Sequence, residues 1–94
     1  MNKEEAKEIL GRELAEYRRR SYGGLLSLLD GCETFERRGP SGVTYQIEVQ
    51  VFFDDEEGLN LRVTGAIDDG GWRSTMSPLC DDFIMAPDGS FVGE

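Results

Sequence analysis

Val43-Thr44-Tyr45-Gln46-Ile47-Glu48-Val49-Gln50-Val51-Phe52-Phe53-Asp54 is the stretch from which the rest of the chain can be placed. Its odd positions are apolar from Val43 to Phe53, and its even positions are polar as far as Gln50. Successive side chains of an extended strand point to opposite faces. This period of two therefore predicts one long strand, with Tyr45, Ile47, Val49 and Val51 packed inward and Gln46, Glu48 and Gln50 facing water. Phe52 breaks the alternation by pointing with the polar set. Together with Tyr22 and any exposed part of Trp72 it is a candidate recognition patch, although single exposed aromatics are common on ordinary surfaces.

Downstream, Leu59, Leu61, Val63 and Ile67 repeat the pattern with Gly65 in phase, and the intervening Asp54 to Gly58 is rich in turn formers. The two runs read as a hairpin. Matching their apolar faces sets Phe53 opposite Leu59, Val51 opposite Leu61, Val49 opposite Val63 and Ile47 opposite Gly65, because a one-residue slip would bury the polar set. Glu48 and Arg62 are then diagonal neighbours. Asp68-Asp69-Gly70-Gly71 makes the next turn, and Trp72, Ser74 and Met76 run inward as a third strand until Pro78 interrupts the ladder. Phe83 to Ala86 and Phe91 to Val92 flank the turn sequence Pro87-Asp88-Gly89-Ser90 and predict a terminal hairpin. Upstream, Glu33 to Arg38 pairs with the long strand through a turn at Gly39 to Gly42.

The first thirty residues read as helix. Asn2 followed by Glu5 has the form of an N-cap with its reciprocal carboxylate. Ala6, Ile9, Leu10, Leu14 and Tyr17 recur at three- and four-residue spacing and give one apolar stripe. Ser21 is a second cap, opening a short helix through Leu25, Leu26, Leu28 and Leu29 that Gly31 ends; Gly23 and Gly24 weaken it by roughly 1 kcal/mol each relative to alanine. The expected fold is α+β: a single domain over residues 1–94, helical over 2–30, with a curved antiparallel meander of four to five strands over 33–92. The N-terminal helix covers one face and leaves the other open. This arrangement resembles that of cystatins. Arg62-Val63-Thr64-Gly65 is faintly similar to the cystatin Gln-x-Val-x-Gly loop, but it lacks the glutamine and belongs inside a strand. The resemblance therefore implies a topology and not protease inhibition.

Ninety-four residues with 38% hydrophobic content suffice for one modest core. No uninterrupted apolar stretch occurs near the N-terminus, so neither a signal peptide nor a membrane anchor is expected, and a cytoplasmic location follows. The net charge is -9, and all the excess lies after Ile47, where Arg62 and Arg73 face eleven acids. Such a field repels phosphate backbones and disfavours nucleic-acid binding. Arg18-Arg19-Arg20 reads as a solvated helix end suited to the helix dipole. Cys32 and Cys80 read as reduced thiols packed as small hydrophobes.

The chain contains no histidine, which excludes Ser-His-Asp and Cys-His catalysis and histidine metal sites. Neither cysteine lies in a C-x-x-C motif, and the glycines fit no phosphate-binding loop. Alternating strand direction is expected to bring Asp54, Asp55, Glu56 and Glu57 to one end of the sheet with Asp81 and Asp82, while Asp68, Asp69 and Asp88 fall at the other. Hard divalent cations take oxygen ligands from such clusters, so a weak metal site, or a carboxylate-based enzyme built on it, is one reading; solvated turn acids are the plainer one. The polar sheet face formed by Gln46, Glu48, Gln50, Arg62, Thr64, Arg73 and Thr75 is the other candidate, a surface for a ligand or protein partner.

Gly39-Pro40-Ser41-Gly42 with the long strand, Ile67-Asp68-Asp69-Gly70-Gly71-Trp72-Arg73 and the tail Ala86 to Glu94 together resemble a family of small bacterial proteins of unknown function, over about residues 17 to 94. The resemblance implies a bacterial cytoplasmic protein and supplies no catalytic residues and no cofactor. The leading expectation is a non-enzymatic binding or protein-interaction module. The alternatives are the carboxylate enzyme and a protein that self-associates through unpaired strand edges, present as a monomer or weak homodimer.

Overall fold

The computed structural model describes residues 2–69 and 78–94. The elements are α1 (Lys3–Arg18), α2 (Tyr22–Leu26), β1 (Cys32–Arg38), β2 (Thr44–Phe53), β3 (Leu61–Asp68) and β4 (Leu79–Met85). The strands form one antiparallel sheet in the order β1-β2-β3-β4. The fold is α+β, with one long helix and a short one packed on one face and the sheet not closed into a barrel. Among the described residues no helix is long and apolar enough to cross a membrane. The expected third strand at Trp72, Ser74 and Met76 lies outside the described residues.

The period-two reading of β2 holds. Tyr45, Ile47, Val49 and Val51 are buried, while Thr44, Gln46, Glu48 and Gln50 are exposed. The helix stripe of Ala6, Ile9, Leu10, Leu14 and Tyr17 is buried as a set and shares one cluster with the inward rows of β2, β3 and β4. Removing water from these facing apolar rows is what holds helix to sheet.

The hairpin register differs from the expected one by two residues. Phe53 lies opposite Leu61, Val51 opposite Val63, Val49 opposite Gly65 and Ile47 opposite Ile67. Matching faces excludes only odd slips, and an even slip keeps every side chain on its own face. The turn decides between the even choices. Asp55 Oδ1 accepts from Leu59 N at 2.9 Å and Asn60 N at 3.2 Å, Gly58 adopts φ 70°, and Asp54 N donates to Asn60 O at 2.8 Å. This side-chain-braced loop absorbs Leu59, which is half exposed instead of entering the strand.

Three other expectations change in detail. Asn2 caps α1 by accepting from Glu5 N at 3.1 Å, but the Glu5 carboxylate turns away from the cap and docks on the β1–β2 hairpin. The second helix ends at Leu26, and the residue with positive φ is Asp30 at 62°, not Gly31; Asp30 N then donates to Val51 O at 2.9 Å. The last strand begins at Leu79 and pairs fully with β3. The terminal hairpin is reduced to a bridge between Met85 and Phe91, with Val92 N bonded to Ile84 O at 2.9 Å.

Glu5 is the polar rivet of this packing. Its carboxylate accepts from Ser41 Oγ at 2.6 Å, Ser41 N at 3.2 Å and Tyr45 Oη at 2.9 Å. Gly39 makes room for it, since a Cβ there would collide with Glu5 Oε1 and lie 3.1 Å from Tyr45 Cε2. The Ser41 hydroxyl is the main cause holding Glu5 below its ordinary value of 4.5. A carboxylate with a depressed folded pKa contributes stability above its unfolded pKa and loses it as pH falls through the folded value. Ser41→Ala should therefore lower urea stability at pH 7, with the gap from wild type closing at pH 3. A gap of equal size at both pH values would contradict this role. Gly39→Ala should reproduce the neutral-pH loss by displacing the carboxylate.

Candidate functional site

The pleat that buries one row of each strand presents the other row on the face away from the helices. On that face lie Thr34 and Glu36 of β1, Gln46, Glu48, Gln50 and Phe52 of β2, Arg62, Thr64 and Ala66 of β3, and Cys80, Asp82 and Ile84 of β4. Of the residues expected there, Gln46, Glu48, Gln50, Arg62 and Thr64 share the face; Arg73 and Thr75 lie outside the described residues. The residues the sequence reading missed are Ala66 of β3 and those from β1 and β4. Their place depends on pairing partners, which alternation within one strand does not reveal.

The corrected register dissolves the expected Glu48–Arg62 diagonal. Glu48 stands opposite Ala66, and Gln50 Nε2 donates to its carboxylate at 3.2 Å. Arg62 stands opposite Phe52 and is clamped between two carboxylates: its Nε donates to Asp54 Oδ1 at 2.7 Å and its Nη1 to Asp82 Oδ2. These bonds to Asp54, ahead of those to Asp82, push the Arg62 pKa up. The pairs are partly solvated, so each contributes no more than about 1 kcal/mol.

The expected acidic tip is also rearranged. Asp81 and Asp82 lie opposite Gly65 and Thr64 in the middle of the sheet, because β4 starts earlier than its apolar pattern suggested. Leu61 pairs with Met85, so the turn holding Asp88 falls at the same end as Asp54 to Glu57. Asp55 is committed to bracing its own turn, and Asp88 accepts from Ser90 Oγ at 2.6 Å and Ser90 N at 2.9 Å. Among the described residues no group of three Cys, Asp or Glu side chains converges to hold a metal ion.

Two shallow hollows open on the polar face. One, of about 490 Å³, is lined by Thr34, Glu36, Gln46, Glu48, Ala66 and Pro78 among others. The second, of about 410 Å³, lies between Glu48, Gln50, Thr64, Ala66, Cys80 and Asp82. Ala66 belongs to both. A methyl in the middle of a face of longer polar side chains leaves a dip with hydrogen-bonding walls and a small apolar floor. Phe52 stays on this face, 37% exposed. Tyr22 packs against the core on the helix side and donates to Leu59 O at 2.6 Å, so the two do not form one patch.

The arginine run is consumed locally. Arg18 makes a two-pronged pair with Glu94 at 2.7 and 2.8 Å and lies over the Phe83 and Phe91 rings. Arg19 meets Glu16 at 3.5 Å, and Arg20 lies over the Tyr17 ring.

Cys32 and Cys80 are both free and exposed, contrary to the expectation of packed thiols. They occupy the two edge strands with β2 and β3 between them. Three strand spacings are roughly 14 Å, twice the largest Cα separation a disulfide spans, about 7 Å. Both thiols of the folded protein should react with iodoacetamide, and mild oxidation should yield no intramolecular bridge. A monomer two mass units lighter after oxidation would contradict the strand order.

No protein-family model, curated protein or solved structure matches the chain.

Proposed function

We propose that the protein is a non-enzymatic binding module that engages a protein partner through the open face of the sheet. The observation that carries this reading is that no described element covers the face, where polar side chains fixed by strand pairing surround a floor at Ala66. The described acids there are Glu36, Glu48, Asp68 and Asp82, against Arg62 and Arg38, so the chemistry favours a neutral or basic protein surface over a nucleic acid. The resemblance to small bacterial proteins fits a bacterial cytoplasmic setting, as does the lack, among the described residues, of a helix long and apolar enough to cross a membrane. The divalent-metal enzyme is less well supported, because Asp54 and Asp82 are already held by Arg62.

Ala66→Arg projects a long polar side chain across both hollows from a part-buried position at their floor, and a melting curve checks that the variant folds. Proteins retained from a source lysate by immobilised wild type should be lost by this variant at unchanged melting temperature. Retention of the same proteins by the folded variant would overturn the reading, as would a catalytic turnover abolished by a single substitution elsewhere.

A further inference from the structure

The outer edge of β1 is self-complementary, and we propose that it pairs antiparallel with β1 of a second copy to form a two-fold homodimer with one continuous eight-stranded sheet. This goes beyond the binding reading of the open face and does not depend on it.

The backbone groups of β1 that point outward decide how it can pair. Gly39 N donates to Val43 O at 2.8 Å across the β1–β2 turn. Hydrogen-bonded and non-bonded pairs alternate along an antiparallel ladder, so Arg37, Phe35 and Glu33 bond to Tyr45, Ile47 and Val49 of β2. The N–H and C=O groups of Thr34 and Glu36 therefore face away from the sheet. Among the described residues no strand pairs with that side, because β1 is terminal in the strand order.

A two-fold axis perpendicular to an antiparallel pair sets one residue opposite its own copy. With Phe35 on the axis all seven residues of Cys32-Glu33-Thr34-Phe35-Glu36-Arg37-Arg38 pair, whereas shifting the axis to Thr34 or Glu36 leaves two unmatched. In this register Glu33 faces Arg37 of the other copy, twice over, and Thr34 faces Glu36. The strand carries two acids and two bases in a chain of net charge -9, so it is neutral where the rest of the molecule repels its copy. Opposite charges directly across a ladder attract and like charges repel. Phe35 meets Phe35 at a non-bonded pair, where the Cα atoms of an antiparallel ladder lie closest, about 4.5 Å apart.

The helix side of β1 has space for this. Glu13 and Tyr17 from α1, Arg20 just beyond its end, and Glu33, Phe35 and Arg37 from β1 border an open groove of about 710 Å³. Phe35 is only part-buried there, lying beneath the Arg37 guanidinium at 4.6 Å. Pairing closes this groove with the same side chains of the partner and covers both phenylalanines.

Sedimentation equilibrium on the full chain tests the proposal. Wild type should show a concentration-dependent monomer–dimer equilibrium. Thr34→Pro removes an outward N–H that β2 does not use, so it should give a monomer with an unchanged circular dichroism spectrum. Glu33→Arg and Arg37→Glu should each weaken self-association by roughly tenfold or more, since each puts like charges opposite one another at two places. An equimolar mixture of those two variants restores opposite charges at both places and should recover a heterodimer. Wild type that stays monomeric at all concentrations, a Thr34→Pro variant that dimerises as wild type does, or a mixture no more associated than its components would each overturn it.

Discussion

One long helix and a short one cover one face of a four-stranded sheet, and most other features follow from how little cover they give its β1 edge. The α1 stripe is five residues long and lies closest against β3 and β4. It reaches β1 only through side chains: Tyr17 Oη donates to Glu33, and Arg37 Nε donates to Glu13 Oε1 at 2.6 Å. A strand that receives little apolar cover cannot be apolar along the whole of that side, and only Phe35 of β1 packs part-buried against the core. β1 accordingly alternates Glu33, Phe35 and Arg37 on the helix face, where β2 has Tyr45, Ile47 and Val49. Among the described residues no element covers the opposite face, where most side chains are polar or small and Phe52 and Ile84 are the large apolar exceptions.

Close approach between helix and sheet is obtained with glycine. At Gly65 a Cβ would lie 2.9 Å from Leu10 Cδ1 and 3.1 Å from Leu14 Cδ2, so the β3 backbone itself is the surface on which the helix rests. Gly39 plays the matching role for the first turn of α1, where Glu5 replaces apolar contact with charge-assisted hydrogen bonds. The helix is thus fixed at one end by a carboxylate on a hairpin. At the other end, Arg18 is held by Glu94 and by the Phe83 and Phe91 rings.

Much of this was legible in the sequence, and the limit of legibility is physical. Period two in β2 and period 3.6 in α1 report which face of an element is buried, and both were read correctly from Tyr45 to Val51 and from Ala6 to Tyr17. Periodicity is blind to an even register shift, so Leu59 reads as part of a strand although Asp55 braces it in a turn. It is equally blind to strands whose buried row is short. β4 buries only Phe83 and Met85 among its seven residues, with Leu79 part-buried ahead of the charged pair, so the apolar signal in its first half is too short to mark a strand and Asp81 and Asp82 read as a tip. The open face was therefore half foreseen. The β2 contribution came from alternation, whereas Ala66, Cys80 and Asp82 required the pairing partners.

β1 is an edge strand whose bonded row faces β2 and whose open row, centred on Thr34 and Glu36, is available to a partner. Amide hydrogen exchange on dilute protein tests it most directly. Slow exchange at Glu33, Phe35 and Arg37 with fast exchange at Thr34 and Glu36 is the predicted alternation. Protection at Thr34 and Glu36 with exposure at Phe35 would contradict the register, and with it the edge on which the account depends.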